Sequence, residues 1–213
     1  MLLIGMFDSP FVRRVAVSLK RLDIGFEHAN WSVGRDFDRI RAYNPLGRVP
    51  TLVLDDGEAL IESSAILDYI DELAGPARAL LPRSGPERRA ALKLMGVAVG
   101  AAEKCVAQVY EDAFRPPEKR HAPWVARCRS QMLGAAAEME RACAARGAGE
   151  WLVGGRCTQA DITATCAFTF MSDTQRLPAD PAQFPAWRAH AARCEALPEF
   201  RATRTEWFVP KGG

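Results

Sequence analysis

The sequence predicts a small mixed α/β domain followed by an all-helical one. Three observations carry that expectation. Strand and helix signals alternate over residues 1–76; a stretch punctuated by Gly75-Pro76, Pro82 and Gly85-Pro86 follows; beyond it strand signals vanish. The division that results is 1–76 for the first domain, 77–85 for a linker and 86–213 for the second. A chain of 213 residues with 48% hydrophobic content is long and apolar enough to bury a sizeable core.

Taken in order, Leu2-Leu3-Ile4 reads as a short apolar strand. Phe11, Val15, Leu19 and Leu22 recur at helical spacing, with Pro10 at the first helical position and Ser9 as N-cap. Residues 26–31 read as a second strand, and Phe37, Ile40 and Arg41 as a short helix. Thr51 to Leu54, the turn Asp55-Asp56-Gly57, and Glu58 to Ile61 form a hairpin. Ile66, Leu67, Ile70 and Leu73 then mark an amphipathic helix whose expected N-cap is Ser63 or Ser64. The second domain reads as helices over 87–114, 123–146, 158–175, 184–195 and 198–206. The third of these is largely apolar and so expected to be buried.

Composition narrows the class. Lys and Arg number 28 against 26 Asp and Glu, a net charge of +2. Residues 1–80 carry 9 against 12 and residues 81–213 carry 19 against 14. Neither balance has the basic excess of a dedicated nucleic-acid binder. No apolar run approaches the ~18 residues of a membrane span, and the N-terminus lacks the flanks of a signal peptide, so a cytoplasmic protein is expected. Cysteines 105, 128, 143, 157, 166 and 194 contain no CxxC pair. They read as small buried hydrophobes, not as disulfides or zinc ligands. His28, His121 and His190 stand apart from other ligand types, so no metal is expected.

Three segments carry candidate chemistry. Ser9-Pro10-Phe11-Val12 opens a helix after a strand, where backbone N–H groups and the helix dipole favour an anion and a hydroxyl can donate one more bond. Ordinary capping explains the same residues. Position 9 is also where a redox protein of this topology would carry the first Cys of a CxxC, so dithiol exchange is excluded there. Asn44-Pro45-Leu46-Gly47-Arg48-Val49-Pro50-Thr51 leads into a strand. A cis bond at Val49-Pro50 would leave the Val49 backbone free to pair with an extended peptide; a plain loop with a strand-initiating proline fits equally. Glu62-Ser63-Ser64 opens the next helix, where a Ser can hold a carboxylate and a Glu an amine, or simply cap it. Further on, Thr158-Gln159-Ala160-Asp161 has the form of a capping box, with Cys157 and Ile162 as its apolar staple.

In this order, "SPFVRRV", "NPLGRVPTL" and "ESSAILDYIDE", followed by a helical domain, resemble the glutathione S-transferase family across essentially the whole chain. The resemblance implies a thioredoxin-like α/β N-terminal domain that binds glutathione and an all-α C-terminal domain that completes an apolar pocket. "SPFVRRV" is most similar to the serine-type tau, phi and zeta classes, which implies Ser9 as the hydrogen-bond donor to the glutathione sulfur. The family pattern implies that Val49 and Pro50 meet the cysteinyl part through the Val49 backbone, with Arg48 beside them. It implies that Glu62 and Ser63 hold the γ-glutamyl end. For the glycyl carboxylate Arg35, Arg39 and Arg41 compete. Phe7, Phe11, Val106, Tyr110 and Phe114 would form the electrophile pocket, with Trp207 and Phe208 covering it; core packing is the other reading of these apolar residues. The resemblance implies a glutathione transferase working as a homodimer on small hydrophobic electrophiles, with glutathione as co-substrate. The alternatives are a glutathione-dependent isomerase or dehalogenase, and a binding protein of the same fold.

Overall fold

The computed structural model describes residues 1–147 and 149–208. Strands β1 (Leu2–Ile4), β2 (Glu27–Ala29), β3 (Thr51–Val53) and β4 (Ala59–Ile61) form one sheet in the order β2-β1-β3-β4. β1 pairs parallel with β2 and antiparallel with β3, which places Leu3 opposite Leu52; β3 and β4 close the hairpin. Helix α1 (Pro10–Arg21) makes the crossover between β1 and β2, α2 (Phe37–Arg41) precedes β3, and α3 (Ser63–Ala74) follows β4. The fold is therefore the expected thioredoxin-like sheet with helices, joined to a helical half.

That half consists of α4 (Gly85–Phe114), α5 (Ala122–Arg146), α6 (Gln159–Asp173), α7 (Pro185–Glu195) and α8 (Pro198–Arg201), with a 3-10 turn at Pro117–Lys119. Helix α8 is shorter than the periodicity predicts, and β2 keeps only the middle of its predicted run. Gly96 and Gly100 do not interrupt α4. Among the described residues no helix is long and apolar enough to cross a membrane.

Two apolar cores hold the chain together. One joins α4, α5, α6 and α7 through Leu94, Met95, Ala98, Met132, Met139, Phe168 and Trp187. The other lies between the sheet, α1 and α3, where Leu3, Val12, Val15, Leu19, Leu52, Ile66 and Ile70 pack. Cys157, Ile162, Cys166, Cys194 and Phe200 from the helical half complete that second core. The sheet side thus buries its apolar face partly on α6, α7 and α8. This explains why α6 is buried almost all round.

The capping box forms as the sequence predicts. Asp161 accepts from the Thr158 N–H and Oγ1, both at 2.8 Å, and its other oxygen accepts from the Leu152 N–H at 2.8 Å. At α3 the expectation is corrected. The N-cap is Glu62, whose φ is 70° and whose carboxylate accepts from the Ser64 N–H at 3.0 Å, while Ser63 is already helical. A carboxylate satisfies the orphan donors of a helix start as well as a hydroxyl does.

Candidate active site

Ser9 lies where β1 has ended and α1 begins, with a β-region backbone and Pro10 behind it. Its Oγ accepts a long bond of 3.4 Å from the Val12 N–H. Among the described residues it donates its own hydrogen to nothing, so the hydroxyl remains a free donor. Nearby, Val49-Pro50 is cis, and among the described residues the Val49 N–H and C=O take no hydrogen-bond partner. The loop is held by Asn44, which donates to the Arg48 carbonyl at 2.8 Å and to Thr51 Oγ1 at 3.3 Å.

Ser9, Arg48 and Val49 open onto one cleft of about 570 Å³ between the sheet side and α4. Phe11, Val106, Tyr110 and Phe114 line it, as the resemblance implied, and so do Trp207 and Phe208. Tyr110 and Phe114 meet edge to face at 5.0 Å between centroids, and Trp207 packs likewise on Phe170 at 5.4 Å. Phe7 is the exception. Its ring stacks on His28 at 3.8 Å, and His28 Nε2 donates to the Gly5 carbonyl at 2.7 Å, so Phe7 turns to the sheet-side core and Met6 faces the cleft instead. Sequence reasoning missed Asp8, Trp31, Phe37 and Leu46 on the cleft wall; Trp31 and Leu46, apolar side chains in loops, carried the one signal that could have found any of them.

The polar groups of the cleft are few. Burial pushes the Asp8 carboxyl above its ordinary value, opposed by the N–H groups of Phe208 and Ser9 that face it. Burial also pushes the Tyr110 hydroxyl up, with Arg48 drawing it down and Asp8 raising it. A largely apolar cavity with the hydroxyls of Ser9 and Tyr110, the Arg48 guanidinium, the carboxylates of Asp8 and Glu103 and two unpaired backbone groups at Val49 is suited to an extended peptide thiol beside an apolar second ligand.

Glu62 and Ser63 stand apart from that cleft wall, at the start of α3. Glu62 is exposed and Ser63 buried, and Ser63 Oγ donates to Glu62 Oε1 at 3.2 Å. Arg14, which sequence reasoning left unassigned, donates to both Ser63 and Ser64. Of the three competing arginines, Arg39 stacks over Trp31 at 4.1 Å and lies 3.6 Å from Asp36, and Arg41 lies 3.8 Å from Asp38. Arg35 sits 5.7 Å from the Phe208 ring and makes no ion pair among the described residues.

All six cysteines are free and buried. Burial pushes the thiols of Cys105 and Cys194 up to about 11 and those of Cys143 and Cys166 up to about 12. Thiols held so far above neutral pH are poor nucleophiles.

A thioredoxin-like domain with a hydroxyl at the start of α1, a cis-proline loop and a helical half closing an apolar cleft define a two-domain class. Residues 3–78 match the glutathione S-transferase N-terminal domain and residues 122–193 its C-terminal domain. The chain belongs to the glutathione S-transferase family. A crystal structure of a glutathione S-transferase from Methylobacterium radiotolerans in complex with glutathione sulfonate is 30% identical, superposes with a TM-score of 0.86, and covers 100% of this chain and 95% of that one. Among sequence relatives, the uncharacterized GST-like protein YibF of Escherichia coli is 36% identical over 113 residues, 53% of this chain and 55% of YibF. A maleylacetoacetate isomerase of Pseudomonas aeruginosa is 41% identical over 97 residues, 43% of this chain and 44% of the isomerase. The chain spans about half the length of these sequence relatives.

Proposed function

We propose that the protein binds glutathione along the Val49 edge, holds its sulfur as thiolate with Ser9, and transfers it to a small hydrophobic electrophile in the cleft. The observation that carries this reading is the Ser9 hydroxyl: it faces the cleft with its hydrogen unspent. A free thiol has a pKa near ~8.5, and lowering it by about two units takes about 2.7 kcal/mol of preference for the anion. One hydrogen bond to a charged acceptor supplies roughly 1.5–3 kcal/mol, and the N-terminus of α1 adds some tenths more. Ser9 acts as donor, not as base. The apolar wall from Phe11 to Phe208 excludes water from the thiolate and receives the electrophile; Glu62 and Ser63 hold the γ-glutamyl end.

The same reading makes the protein a homodimer, with the half-exposed Leu73 and Leu92 of α3 and α4 as apolar surface for a second copy. It also makes it cytoplasmic, where six free thiols persist reduced. Glutathione-dependent isomerisation is the second reading, favoured by the likeness to the maleylacetoacetate isomerase over 97 residues. In that case glutathione adds to the substrate and leaves again unchanged.

Titrating the thiolate absorbance of bound glutathione against pH, in wild type and Ser9→Ala, tests the proposal. A bound thiol pKa well below the free value that returns toward it in Ser9→Ala is the expected outcome, with conjugation cut severely and glutathione affinity kept within about tenfold. An unshifted pKa in wild type would leave a glutathione-holding protein, and no binding would reduce the likeness to fold. Turnover with net consumption of glutathione distinguishes conjugation from isomerisation.

A further inference from the structure

Acidic side chains of this protein commonly lie beside a cation. Asp36, Asp38, Asp112 and Asp173 each have an arginine next to them, and Glu195 holds Arg13 on both prongs. Asp8 does not follow suit. It is partly buried on the wall of the cleft, between β1 and α1 and directly before Ser9. Among the described residues no Lys, Arg or His pairs with it; the backbone N–H groups of Phe208 and Ser9 face it instead. A carboxylate offers roughly four lone-pair sites, so these donors leave part of it open to the cleft.

The nearby cations are placed elsewhere. Arg35 lies against the Phe208 ring at 5.7 Å. Arg48 adjoins Val49, on the edge assigned above to glutathione, and glutathione brings carboxylates of its own. A second acid, Glu103 on α4, also lines the cleft and makes no ion pair among the described residues. Much of the remaining wall is aromatic, with Phe11, Tyr110, Phe114 and Phe208. Ring faces attract cations and repel anions. Burial already pushes the Asp8 carboxyl up, the mark of a charge held in apolar surroundings without a counter-ion. A positive group entering the cleft offsets that desolvation, and a negative one adds to it. A sulfur held as thiolate at Ser9 places one more negative charge beside Asp8.

We propose that Asp8 is a specificity-determining residue for the second substrate, and that this substrate joins an apolar body to an ammonium- or amidinium-like group that pairs with the Asp8 carboxylate. This rests on the glutathione reading above and narrows it from hydrophobic electrophiles in general to cationic ones. The rings hold the apolar body, and Asp8 holds the charge close to the reacting sulfur.

Three S-benzyl glutathiones that differ only in their para substituent (aminomethyl, methyl or carboxyl) place a positive, neutral or negative group in the cleft without any need for turnover. Calorimetric titration of wild type, Asp8→Asn, Asp8→Ala and Glu103→Gln with these thioethers and with glutathione tests the proposal. Wild type should bind the aminomethyl thioether about tenfold tighter than the methyl one, and the carboxyl thioether about tenfold weaker. In Asp8→Asn the three should come within about threefold of one another, with glutathione itself bound within about threefold of wild type. Asp8→Ala gives the same readout if Asp8→Asn fails to fold, and Glu103→Gln should keep the wild-type order. An order that survives in Asp8→Asn, or is lost equally in Glu103→Gln, would overturn the proposal and leave the glutathione reading intact. So would a wild type that binds glutathione but shows no preference for the aminomethyl thioether, or binds no thioether. A wild type that binds neither glutathione nor any thioether would overturn both.

Discussion

Gly5 has a φ of 130°, and a Cβ there would come within 2.5 Å of Val12 Cγ2 and 2.8 Å of Val49 Cβ. The end of β1, the first turn of α1 and the cis-proline loop therefore meet at a point only glycine can occupy. Gly5→Ala should cost about 2–4 kcal/mol, from backbone strain plus overpacking. At the size of this chain that lowers the midpoint of a thermal melt by roughly 5–15 °C. Because Val49 is one of the two contacts, glutathione affinity should fall with it, measured on the folded fraction. Residue-scale reading of the sequence succeeded where a local rule acts. Ser9-Pro10 is a helix start in any context, and Val49-Pro50 borders a strand. It failed at Phe7 because whether a ring at the end of β1 faces α4 or His28 depends on β2, twenty-one residues away.

At the scale of elements, α6 depends on Asp161. Its carboxylate accepts three bonds at 2.8 Å, two from Thr158 and one from the Leu152 N–H, in a fully buried setting. Asp161→Asn would turn an amide N–H toward a donor, so a loss of about 2–4 kcal/mol in urea unfolding is expected. The same box sets a pH dependence. His190 Nε2 lies 3.4 Å from Asp161, with Arg193 at 3.2 Å from Nδ1 and the Cys194 thiol beside it. Burial holds His190 below its ordinary 6.5, with Asp161 raising and Arg193 lowering it further. As pH falls below about 6.5 the unfolded chain takes the proton first, so stability is full above that pH and declines on acidification through the folded value. His190→Gln should flatten that decline in unfolding curves taken between about pH 7 and 5. The box itself was readable, since Thr158 and Asp161 sit three residues apart. His190 joining it was not, because α7 reaches α6 only through packing.

At the scale of the whole molecule, Arg13 ties the two halves together. It pairs with Glu195 on α7 and donates to the Phe200 carbonyl at 3.0 Å, while Thr169 Oγ1 donates to Glu195 at 2.6 Å. Burial pushes Glu195 up, but the Arg13 bonds outweigh it and hold the carboxyl below its usual range. Its contribution is therefore present above about pH 4.5 and lost as pH falls through the folded value. Removing Arg13 leaves the partly buried Glu195 carboxylate uncompensated. Arg13→Met should cost about 3–5 kcal/mol, and Arg13→Met with Glu195→Leu should recover much of it. Since the sheet-side core is completed by Cys157, Ile162 and Phe200, both halves should unfold in one transition by circular dichroism and by tryptophan fluorescence alike.

Patterns that act over a few residues could be read from the chain directly: the alternation of strand and helix, the caps, the turn residues, and the order of the three motifs that place Ser9, Val49 and Glu62. Helix starts, turns and amphipathic faces are short-range physics, and a window of sequence contains them. Packing settled the rest. Arg13 and Arg14 are adjacent and chemically identical, yet one finds Glu195 at 182 positions' distance and the other Ser63 at 49. Only the docking of α1 between α3, α6 and α7 separates them. Helical rotation aims the two side chains at different neighbours, and those neighbours arrive from segments that no local period connects to α1.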